Sequence, residues 1–89
     1  MNKNTVLIIN LTSENLMKAI YNAIAINLLD IILIGDRKII YSLCKNLNYN
    51  INLLQIVDCT DKVSLYNIID KYKNEKNIQG IIIDDKLEG

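Results

Sequence analysis

Asp84 and Asp85 are paired carboxylates, and Asp58 and Asp61 are the acidic residues that the fold could bring near them. Brought together, such carboxylates could hold a hard cation such as Mg²⁺ through oxygen ligands. The same residue type also caps helix N-termini and decorates solvated chain ends, and that is how we read these four. Arg37, Lys38 and Lys86 are the cations able to meet an anionic group, and Ser13 could donate a hydroxyl. There is no histidine, so the commonest general base and transition-metal ligand is missing. A Ser–His or Cys–His nucleophile is therefore impossible within the chain. Cys44 and Cys59 match no zinc or redox spacing and are expected as two free thiols packed as small hydrophobes.

The elements that must position these residues follow from periodicity. Unbroken apolar runs at 5–9 (TVLII), 30–35 (DIILIG), 52–58 (NLLQIVD) and 80–84 (GIIID) read as strands covered on both faces. Between them, apolar residues recur at threes and fours. The first helical stripe is Leu16, Ile20, Ala23, Ile24 and Leu28, behind Thr12 and Ser13 as N-caps. The second is Ile39, Ile40, Leu43, Cys44 and Leu47, behind Asp36. The third is Leu65, Tyr66, Ile69 and Tyr72, behind Thr60 and Asp61. Gly35 is expected to free the backbone for the corner between the second strand and its helix.

The pattern βαβαβαβ predicts a parallel four-stranded sheet, and with right-handed crossovers a three-layer α/β/α arrangement. All strand exits then share one edge, where open α/β sheets bind ligands. The loops on that edge are 10–13, 35–38, 58–61 and 84–86, which makes Ser13, Asp36, Arg37 and Lys86 the candidate binding residues. Residues 1–89 are expected to form a single domain.

Several classes fall away. Ten basic residues balance ten acidic ones, so the chain lacks the excess that non-specific nucleic-acid binding needs. It has equally little attraction to an anionic membrane, and no apolar run approaches the roughly 20 residues of a bilayer span. A cytoplasmic protein is expected. Neither the glycine fingerprint of dinucleotide sites nor the Gly-Lys-Ser/Thr of a P-loop occurs. A phospho-acceptor receiver would need acids just after the first strand, where Asn10 and Leu11 stand. The lysines of DKYKNEKN (70–77) read as a solvated helix end, and Tyr41, Tyr66 and Tyr72 as core edges rather than a stacking platform.

Residues 30–64 resemble the N-terminal part of the phosphate acetyl/butyryl transferases. That family shows an "ILVGD" strand end, a helix like "KIxxLAKELGL" and then "xxxIIDxxD"; the counterparts here are Ile32–Asp36, Lys38–Leu47 and Ile56–Asp61. The preceding helix fits the family's leading helix and Gly-Ile-Ala pattern, with Ala25 and Ile26 in place, and the likeness runs from about Thr5 to Gly80. It implies acyl exchange between coenzyme A and inorganic phosphate, in a cleft between two α/β domains. The family's "ADxLMKGxxxT" turn is replaced by IQGIIIDDKLEG, where Lys86 stands opposite the lysine only with a shift and Leu87 replaces its glycine.

The expectation is thus an N-terminal domain or fragment of a phosphate acyltransferase, not catalytic and binding no cofactor alone, with the remainder of the enzyme as partner. Coenzyme A and acyl phosphate are the ligands implied for the full-length family. The alternative is a small non-catalytic interaction module that forms a homodimer through a sheet edge or helix face.

Overall fold

A computed structural model describes residues 4–75 and 77–84. Strands and helices alternate as β1 (Thr5–Ile9), α1 (Glu14–Ala25), β2 (Asp30–Gly35), α2 (Arg37–Leu47), β3 (Gln55–Asp58), α3 (Lys62–Glu75) and β4 (Ile78–Ile83). The four strands form one all-parallel sheet in the order β3-β2-β1-β4. Chain order reverses between β1 and β4: α1 and α2 each link neighbouring strands, whereas α3 carries the chain from one edge of the sheet to the other. No helix among the described residues is long and apolar enough to cross a membrane.

Alternation along the strands divides the apolar side chains between two clusters. Ile8, Ile31 and Leu33 pack with Met17 and Ile20 of α1 and Ile40, Leu43 and Cys44 of α2. Leu7, Ile9, Ile32 and Ile34 pack with Cys59 and with half-buried Leu65, Ile68, Ile69 and Tyr72. The two thiols are free and buried, as expected, and they belong to opposite clusters. Each buried aliphatic side chain contributes about 1.5–3 kcal/mol, so the central strands β1 and β2 hold most of the stabilising burial.

Three expectations need correcting. The run 52–58 does not begin as a strand: Asn50 accepts a hydrogen bond from the Asn52 amide and starts a 3₁₀ turn over Ile51–Leu53, so β3 is only Gln55–Asp58. Among the described residues no glycine has a positive φ, so Gly35 is not there for a left-handed turn. Its role is close approach: a Cβ there would lie 3.3 Å from the Cα of Asn10, the residue just past the end of β1. Three asparagines, Asn10 (φ 55°), Asn27 (φ 58°) and Asn48 (φ 60°), supply the left-handed residues instead. Asn48 closes α2, with its N–H on Lys45 O and the Tyr49 N–H on Cys44 O.

Finally, Tyr41 and Tyr66 are exposed rather than core edges, and Ile39 and Leu28 also face solvent. Periodicity overcounted because α1 stops at Ala25, α1 and α2 bury only a narrow face, and α3 has no fully buried residue among those described. The aromatic contact that does form was not anticipated: Tyr21 and Tyr49 stack with centroids 3.8 Å apart, and the Tyr21 hydroxyl accepts the Asn50 N–H.

Candidate functional site

Hydrogen bonds carry the sheet's ladder one residue past the strands. The Asn10 N–H donates to Ile34 O (2.9 Å), the Cys59 N–H to Gly35 O (2.9 Å) and the Asp84 N–H to Ile9 O (2.8 Å). All four strand exits therefore meet on one rim, where α1 and α2 also begin.

On that rim the backbone donors are met by the chain's own carboxylates. Ser13 is the N-cap of α1, its Oγ accepting from the Leu16 N–H at 3.2 Å. The Thr12 and Ser13 N–H groups both donate to Asp84 Oδ2 at 3.0 Å, across 72 and 71 residues of sequence. Asp36 caps α2, accepting from the Lys38 N–H at 2.9 Å. Asp58, at the end of β3, accepts from the Arg37 N–H at 3.1 Å. Asp61 accepts from the Ser64 N–H at 3.0 Å, and the hydrogen bonds from Ser64 hold its carboxyl below the usual range. Each helix N-terminus thus holds an anion from within the chain, where the partial positive charge of its dipole favours one.

The candidate residues separate accordingly. Ser13 joins the Asp84 cluster where β1 meets β4, whereas Asp36 and Arg37 join Asp58 where β2 meets β3. Lys86 and Asp85 lie outside the described residues. Among the described residues, no group of three or more His, Cys, Asp or Glu side chains is placed to hold a metal ion. Asp58, Asp61 and Asp84 each commit one carboxylate oxygen to backbone amides at the start of a different helix. Burial pushes the Cys44 thiol up, which suits a packing group and not a nucleophile.

Sequence reasoning missed one feature beside the rim. The first turns of α2 and the end of β3 border an open depression of about 480 Å³, lined by Arg37, Lys38, Tyr41, Ser42 and Asp58. Residues 37, 38, 41 and 42 share one helical face, a signal present in the spacing but masked by reading Tyr41 as a core edge. No protein-family model matches the chain, and no curated protein matches it.

Proposed function

We propose that this chain is the amino-terminal α/β unit of a phosphate acyltransferase-like protein and does not catalyse acyl exchange alone. The observation that carries the reading is the fold of residues 30–64. The three stretches that resemble the family, Ile32–Asp36, Lys38–Leu47 and Ile56–Asp61, become in turn a strand end, a helix and a strand end that meet at the rim shared by the strand exits. The same rim supports the lack of catalysis. Transfer to phosphate needs free donors and positive charge around a dianion, whereas here the Thr12 and Ser13 amides just before α1 already hold the Asp84 carboxylate.

Two measurements test this. Purified protein mixed with acyl-coenzyme A and phosphate should release no coenzyme A thiol; robust turnover overturns the non-catalytic half. A chimaera carrying residues 5–80 in place of the matching segment of a phosphate butyryltransferase should fold and assemble. A chimaera that does not fold removes the kinship.

A second reading is favoured by β4, an edge strand with Ile81, Ile82 and Ile83 exposed by 36, 45 and 67%. Pairing sets Ile81 and Ile83 on the face of Leu7 and Ile9, and Ile82 on that of Ile8, so both faces of the edge are apolar. The occupant that fits is a second copy of the chain. A two-fold axis sets this strand against itself, and IQGIII contains no charge to repel its own image. In this reading the chain is a homodimerising module.

A further inference from the structure

We propose that the depression at the start of α2 binds a phosphomonoester carried on a planar ring. The proposal does not rest on the acyltransferase kinship, since it is argued from side chains of this chain alone and needs no cleft of a larger enzyme.

Arg37 and Lys38 supply the charge. Both are exposed, and among the described residues neither side chain takes part in an ion pair. Their backbone amides are already used by Asp58 and Asp36, so the guanidinium and ammonium groups are the donors left facing outward. Asp58 lines the same hollow, but its Oδ1 sits on the N-terminal amide of α2, where the helix dipole offsets part of its charge. Two adjacent cations, a planar fork and a point charge, suit a dianionic phosphate better than a single carboxylate.

Tyr41 supplies the second half. It lies one turn beyond Arg37, is 55% exposed and lines the depression, which puts an aromatic ring within reach of a flat partner bound there. Ser42, one turn beyond Lys38, adds a hydroxyl to the same wall. The volume, about 480 Å³, falls within the range of small-molecule sites.

The test is an NMR amide titration of the whole 89-residue protein with phenyl phosphate, inorganic phosphate and benzoate in turn. Phenyl phosphate should shift residues 37–42 and 58 saturably and bind about tenfold more tightly than inorganic phosphate or benzoate. Arg37→Gln and Lys38→Gln, which leave the backbone caps in place, should each weaken it about tenfold. Tyr41→Ala should reduce phenyl phosphate to the affinity of inorganic phosphate. Four outcomes overturn the proposal: no saturable binding, shifts confined to the start of α1, equal affinity for inorganic phosphate or for benzoate, or binding indifferent to Arg37→Gln and Lys38→Gln.

Discussion

Single side chains on the rim act over two ranges, and the sequence disclosed only the shorter. Ser13, Asp36 and Asp61 cap their helices through bonds two or three residues long, so a pattern of Ser or Asp before an apolar stripe suffices to find them. Asp84 and Asp58 do the same work from 71–72 and 21 residues away, and no local pattern announces that. Asp84 is the more consequential, because two half-buried amides depend on one carboxylate oxygen. Asp84→Ala should lower stability by about 1.5–3 kcal/mol in urea unfolding, more than Asp58→Ala at its exposed bond, which should cost about 1 kcal/mol or less. Equal losses would remove Asp84 from its role as the tie between β4 and α1. Gly35→Ala should cost about 1–3 kcal/mol, because the atom it crowds belongs to the Asn10 backbone and cannot swing aside. If melting curves of this variant and the parent coincide, the contact with Asn10 is not tight.

Among the elements, β1, β2, α1 and α2 were legible because strands buried on both faces read as unbroken aliphatic runs. Helix-spaced stripes then leave little choice of partner. The start of β3 was not, since Leu53 and Leu54 lengthen its run while the Asn50 cap diverts the chain. The third helix differs in kind. It has no buried residue among those described, and Val63 and Tyr66 are 72 and 65% exposed. With so little burial to hold it, α3 should open locally, and its amides should exchange with deuterium well before those of α1 and α2. Uniform protection across the three helices would contradict this. Acid should act at the same place. Asp61 has its folded pKa lowered from the ordinary value of 3.8, so its cap contributes stability above that value and loses it as pH falls through the folded one. The first turn of α3 should therefore fray below about pH 4, visible as loss of the Ser64 amide signal, and Asp61→Asn should move that loss away from acid.

At the scale of the molecule, the parallel sheet and its common rim were foreseeable, whereas the strand order was not: periodicity says that strands lie side by side, not which of them ends at an edge. The order leaves β4 outermost with three exposed isoleucines. If a second copy covers them, sedimentation should give a dimer mass that Ile82→Lys converts to a monomer. A monomer for the parent chain at high micromolar concentration would eliminate that reading. The same order has a consequence for synthesis. β1 is almost wholly buried, yet one of its two neighbours is β4, and the Thr12–Asp84 bond beside them spans 72 residues. At roughly 5–20 residues per second, a ribosome leaves the β4 side of β1 unmatched for several seconds after its β2 side can pair. For that interval the nascent chain presents the unpaired backbone of β1 along an open edge, so chaperone capture or pairing with a neighbouring polysome product belongs to this window.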